Sequence, residues 1–178
     1  MQLAAEMLRA QLPPLTFSTG HLVISGVLEP SYDVGGDAFD YAVNGNIAHL
    51  ALFDAAGHGS ASGMRSVVLA SLALAAYRNA RRADYDLVET YHHIDDAVRR
   101  HDAYGLITAV LVELDQSSGL LRVISAGHPG GIVLRGGKVV KKEFTVEQSP
   151  AHYDSAPRFK SDATGLTVAS DLNRGALS

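Results

Sequence analysis

Asp33-Val-Gly-Gly-Asp37-Ala-Phe-Asp40 gathers three carboxylates around a pair of glycines. Magnesium and manganese are hard cations that take carboxylate oxygen and commonly keep part of their water, so acids presented by a tight glycine turn suit them. An acidic turn ahead of a hairpin is also what a solvated loop looks like, and this segment alone does not separate the two. Seventeen residues beyond Asp37 comes Phe53-Asp54-Ala55-Ala-Gly57-His58-Gly59, a carboxylate that ends an apolar run just ahead of a helical pattern. A strand end opening into a helix is a common mount for functional groups, and a hairpin between Asp37 and Asp54 returns the second carboxylate to the first. Two acids could then share one metal cluster.

Other segments compete for attention. Gly57-x-Gly59-x-x-x-Gly63 comes close to a dinucleotide phosphate loop. Asp54 at its mouth would repel a pyrophosphate, and the helix that follows leads to a second helix instead of a parallel strand, so the nucleotide reading is set aside. Ser125-Ala-Gly127-His128-Pro129-Gly130 lies between two β-rich runs and reads as a plain hairpin turn, with no acid beside His128 in sequence. His92-His93 occupies a polar part of a helix and reads as solvated, while the glycines around His58 suit a turn as well as a ligand. Near the end, Thr167-Val-Ala-Ser170-Asp171 again closes an apolar run with an acid. That acid could complete a metal triad, or stand there by chance.

The elements that must position these residues are legible from periodicity. Leu3, Met7, Leu8 and Leu12 recur at helical spacing until Pro13-Pro14 stops them. Strands are expected at His21 to Leu28 and Asn46 to Phe53, with the Asn44-Gly45 hairpin signal before the second. Ala61, Met64, Val67, Val68, Leu72 and Ala75 predict a helix, and Leu87, Tyr91, Ile94 and Val98 a second one ending near Arg99-Arg100. From Leu106 the pattern turns to short β-rich runs at Leu106 to Leu114, Leu120 to Ser125, Gly131 to Leu134 and Val139 to Phe144. Thr145 to Ala163 reads as loop, and Leu166-Thr-Val-Ala as a last strand. Strands, two helices, then strands in hairpin order is an α+β arrangement of antiparallel sheets carrying helices.

Composition narrows the classes. The 178 residues are enough for about one domain with a continuous core. Lys+Arg 15 against Asp+Glu 19 leaves a net charge of -4, which argues against nucleic acid or an anionic membrane as partner. With no cysteine, a thiolate metal site and a cysteine nucleophile are excluded, so any metal sits on oxygen or imidazole. No apolar run approaches the ~20 residues of a membrane span, and Met-Gln-Leu-Ala-Ala-Glu lacks the start of a signal peptide. A soluble, cytoplasmic protein is expected.

Taken in order, Glu6-Met-Leu-Arg-Ala-Gln-Leu-Pro-Pro-Leu15, Leu28-Glu-Pro-Ser-Tyr-Asp-Val-Gly-Gly-Asp37-Ala-Phe-Asp40, Phe53-Asp54-Ala-Ala-Gly-His-Gly59, Ile107-Thr108-Ala-Val and Ser125-Ala-Gly-His-Pro129 form a pattern. In it the sequence resembles the SpoIIE/RsbU-type serine phosphatases, the bacterial branch of the metal-dependent PP2C-like phosphatases, over residues 5 to 140. The resemblance implies an α-β-β-α sandwich of two antiparallel sheets flanked by helices. It implies a leading linker helix over residues 1–14 and a phosphatase domain over residues 15–178 that is short at its C-terminal end.

Carried over by position, Asp37 and Asp54 match the family's metal carboxylates and catalytic acids, and Ala55 stands where a backbone carbonyl joins the metal site. Asp40 matches a position behind them. Asp171 matches the later metal acid, although the family has Asp-Gly where this chain has Asp171-Leu172, and a final metal aspartate expected beyond it is missing. The implied cofactor is two Mn2+ or Mg2+ ions that activate water for in-line attack on a phosphoserine or phosphothreonine. The implied partner is a phosphorylated anti-sigma-factor antagonist or similar phosphoprotein, with control from an upstream sensory module or from a homodimer formed through the leading helix. Loss of one metal carboxylate weakens such a cluster, so the alternative is an impaired pseudophosphatase that binds a phosphoprotein or partner without turnover.

Overall fold

The computed structural model describes residues 2–28, 35–57, 60–129, 131–135, 138–142 and 164–170. Helix α1 (Gln2–Arg9) leads into β1 (Thr16–Ser18), β2 (Leu22–Leu28), β3 (Gly36–Asn44) and β4 (Ile47–Ala55). Then come α2 (Ser60–Arg82) and α3 (Leu87–His101), followed by β5 (Ile107–Asp115), β6 (Leu121–Ala126), β7 (Ile132–Arg135), β8 (Lys138–Lys142) and β9 (Thr164–Ser170). One sheet has the order β1-β2-β9, a second β3-β4-β5-β6, and β7-β8 is a separate hairpin. Every pairing between these strands is antiparallel, as expected for an α+β fold.

Two cores lie on the two faces of the four-stranded sheet. Leu22 and Ile24 of β2 meet Phe39, Tyr41, Leu50 and Leu114 between the sheets. On the opposite face Ala38, Phe53 and Leu111 pack under α1, α2 and α3. Close approach of the sheets depends on Gly26, where a Cβ would stand 2.9 Å from the buried ring of Phe39. The described residues thus form three layers, helices on sheet on sheet, and Val23 and Val27 are exposed on the outer face of β2. Among the described residues no helix is long and apolar enough to cross a membrane.

Local chemistry explains most boundaries. Asp86 accepts hydrogen bonds from the Val88 and Glu89 amides while Glu89 accepts one from the Asp86 amide, a capping box that starts α3 where its apolar period begins. In the β3-β4 hairpin Asn44 pairs with Ile47, so the two loop residues are Gly45, at φ 57°, and Asn46. This is one position later than the Asn44-Gly45 signal placed the turn. Helix α2 ends at Arg82, where Arg78, Arg81 and Arg82 suit its C-terminal end, and Ala76, Tyr77 and Ala80 carry its buried face over the sheet. Strand β1 was not anticipated; three residues are too few to show alternation, and pairing with β2 makes them a strand.

Candidate metal centre

The pleat of β3 and β4 decides which side chains face the space between the sheets. Register aligns three rows across that face: Tyr41, Leu50 and Val112; then Phe39, Leu52 and Val110; then Asp37, Asp54 and Thr108. Apolar rows therefore give way, at one end of the sheet, to two acids directly opposite each other with a threonine beside them. The acidic segment is not a turn at Asp37, which is the second residue of β3; the ladder with β4 continues through Gly36 and Ala55.

Gly36 makes this end possible. A Cβ there would stand 2.6 Å from the Ala55 carbonyl oxygen, 2.8 Å from the Ala55 Cβ and 2.8 Å from the Cβ of buried Ser66 on α2. Only a residue without a side chain fits between β4 and α2, and any larger one would crowd that carbonyl.

Burial pushes the Asp54 carboxyl above the usual carboxylate range, and a side-chain hydrogen bond with Asp37 pulls against it. Two acids set opposite each other across the ladder repel when both are charged, and a divalent cation between them would offset that repulsion. Carboxylate oxygen is the donor type that Mg2+ and Mn2+ take, and Asp37 and Asp54 present it from paired strands, Asp54 one position before the Ala55 carbonyl that Gly36 leaves uncrowded. A small cleft lined by Asp54, Ala56, Leu106 and Thr108 opens beside them. Among the described residues no group of three or more His, Asp or Glu side chains is placed to hold a metal. Asp33, His58 and Asp171 lie outside the described residues.

From the sequence the segment around His128 reads as a plain hairpin turn, and Thr108 stands only within a family motif, yet both belong to this end of the sheet. Thr108 Oγ1 lies 2.9 Å from His128 Nδ1. Burial lowers the His128 pKa, and the charge of Asp37 works against that shift. The spacing of Asp54 and Thr108 carries no hint of this; only the β4-β5 register sets them opposite one another.

Asp40 has a different place. It is buried on the helix side of β3, where Arg78 of α2 donates to it through Nε at 3.1 Å and Nη2 at 2.8 Å. The same Nη2 donates to the Gln11 carbonyl at 2.7 Å, tying the end of the leading segment to both. Asp40 is a structural anchor for α2, on the face opposite the acid pair.

Residues 44–151 match the family model described as Stage II sporulation protein E (SpoIIE). A structure of the RsbU and RsbW domains of a Mycobacterium tuberculosis protein is similar at 26% identity and TM-score 0.53, over 62% of this chain and 31% of that one. The SiaA PP2C domain of Pseudomonas aeruginosa is similar at 24% identity and TM-score 0.56, over 70% of this chain and 51% of that one. No protein of curated function matches the sequence. The chain spans about a third of the length of the first structure and half of the second.

Proposed function

The chain belongs to the Stage II sporulation protein E (SpoIIE) family, and on that premise we propose that it is a metal-dependent protein phosphatase acting on phosphoserine or phosphothreonine. The observation that carries the proposal is the pairing of Asp37 with Asp54 at the end of the inter-sheet face. Two half-buried acids with a threonine beside them are arranged to gain from a divalent cation, and a phosphorylated side chain brings the negative charge such a centre receives. When bound there, Mn2+ or Mg2+ supplies an acidified water and offsets phosphate charge. Asp37 and Asp54 would hold the ions, the Ala55 carbonyl would add a neutral oxygen, and the family position of Asp171 would add a further carboxylate.

The substrate class proposed is a small phosphorylated regulatory protein of the anti-sigma-factor antagonist type. The RsbU and RsbW domains that share a chain in the M. tuberculosis structure support it. Control is assigned to an upstream sensory module or to a homodimer through α1, whose Leu3 and Met7 are 69% and 59% exposed. The competing reading, a phosphoprotein binder without turnover, draws on Asp171-Leu172 in place of Asp-Gly.

Incubation of the full chain with Mn2+ and a phosphoserine protein decides between them. Phosphate release that EDTA stops and Asp54→Asn removes is the expected result. Binding of the phosphoprotein with no metal uptake and no release would favour the binder.

A further inference from the structure

One histidine is held more firmly than a turn requires. The chain leaves β6 and doubles back beside the start of β5, where Gly127 bridges to Ala109. Gly127 takes φ 69°, and its Cβ, had it one, would stand 3.5 Å from the Thr108 Cγ2, so the turn lies against Thr108. Ser125 Oγ donates to the His128 carbonyl at 2.8 Å and fixes the main chain. The Thr108 hydroxyl, 2.9 Å from Nδ1, fixes the ring.

The second tie is directional. Thr108 is the third member of the row that contains Asp37 and Asp54, so the imidazole is anchored at the same end and on the same face as the acids. A neutral imidazole has one donor and one acceptor nitrogen, and the group on one nitrogen decides the role of the other. With Nδ1 taken by the hydroxyl, Nε2 is the atom left to meet a ligand.

We propose that Thr108 and His128 are a substrate-orienting pair: the Thr108 hydroxyl donates to Nδ1, which sets the Nε2–H tautomer, and Nε2–H donates to an oxygen of the phosphoryl group held over Asp37 and Asp54. No proton changes owner. His128 is the group that touches the substrate, and Thr108 is a positioning residue acting through it. The inference rests on the phosphatase reading and adds a phosphate-binding donor to the acid pair.

The test uses the full chain with Mn2+ and p-nitrophenyl phosphate. His128→Ala is expected to lower kcat/KM about 10- to 100-fold, the worth of one hydrogen bond to a charged oxygen, and to leave Mn2+ affinity by calorimetry unchanged. His128→Gln, which keeps a donor, restores part of the loss. Thr108→Val gives a smaller loss that Thr108→Ser restores, and the Thr108→Val/His128→Ala double variant is no worse than His128→Ala alone. Nitrogen-15 spectra of the His128 ring show the Nε2–H tautomer in the parent chain and a mixture in Thr108→Val.

Additive losses, a fall in Mn2+ affinity in His128→Ala, or an Nδ1–H tautomer in the parent chain would each overturn the pair. If the parent chain releases no phosphate, the phosphatase reading fails on its own. The pair is then decided by inorganic phosphate with Mn2+: a shifted Nε2 resonance supports it and an unmoved one rejects it.

Discussion

Asp37 and Asp40 stand three residues apart on one strand and are partnered in opposite ways. Asp40 faces the helices, is almost fully buried, and is met by a two-point Arg78 guanidinium. Asp37 faces the other sheet and is met by a second acid, Asp54. The first arrangement is closed: protein supplies the counter-charge, and the contact holds α2 to the sheet. The second is open, because two facing acids supply no counter-charge to each other and leave a place that suits a cation. Residue type does not separate structure from chemistry here; the pleat and the partner across it do.

The sharpest way to break this contrast is at Asp54. Asp54→Asn is expected to lower Mn2+-dependent phosphate release by more than about 100-fold, since the centre loses a carboxylate. The same change removes like-charge repulsion, so the metal-free chain is expected to melt higher, not lower. A variant that loses melting temperature and activity together would mean that the pair is structural, like Asp40.

At Asp40 the signs reverse. Asp40→Ala leaves Arg78 without its partner and is expected to cost about 2–3 kcal/mol in urea unfolding, below the ~3–5 kcal/mol of a fully buried pair because Arg78 keeps 25% of its side-chain exposure. Activity per folded molecule should hold. Asp40→Leu together with Arg78→Met should recover part of the stability, because the Arg78 charge goes with its partner while Arg81, 3.8 Å from Asp40, keeps its own. No recovery at all would show that Arg81 and the Arg78 bond to the Gln11 carbonyl carry more than the Arg78 ion pair.

The smallest expected effect is in the pH dependence of the metal-free chain. Burial raises Asp54, so the folded state holds a proton that the unfolded state has released. Stability from this group therefore falls as pH rises from the ordinary carboxylate range toward the raised value. Burial lowers His128 and His49, which makes the opposite contribution: stability is present above the ordinary histidine pKa of about 6.5 and is lost as pH drops through the lowered values. Thermal melts across pH 4 to 8 should show the acid-side loss, and adding Asp54→Asn should flatten only the carboxylate part.

Much of this was readable before any coordinates. The apolar, β-branched run from His21 to Leu28 and the helical period from Ala61 each reflect a local rule that the elements follow, and the turn signal at Asn44-Gly45 falls within one position of the loop. Asp54 was legible because it closes an apolar run. Asp37 was recognised as an acid but given to a turn, since Gly35-Gly36 looks like a break; the steric need for Gly36 comes from Ala55 and Ser66, both distant in sequence. The Arg78 and Asp40 contact and the Thr108 and His128 contact were invisible for the same reason. Each depends on a crossing of elements, and nothing in the spacing of 40 and 78 or of 108 and 128 encodes it.

The register of β3 on β4 also sets an order of assembly. Asp37 and Asp54 come together through a hairpin with a two-residue loop, a closure of microseconds. The β2-β9 pairing joins Leu22 to Ser170 and must wait for nearly the whole chain to be gathered in, the kind of non-local contact that slows folding. The acid pair is thus expected to exist in folding intermediates that still lack sheet β1-β2-β9. Pulsed hydrogen exchange should find β3 and β4 protected before β2, and simultaneous protection would rule this order out. A cation present during refolding would then meet its first two carboxylates early, and act on the rate of folding as well as on its end point.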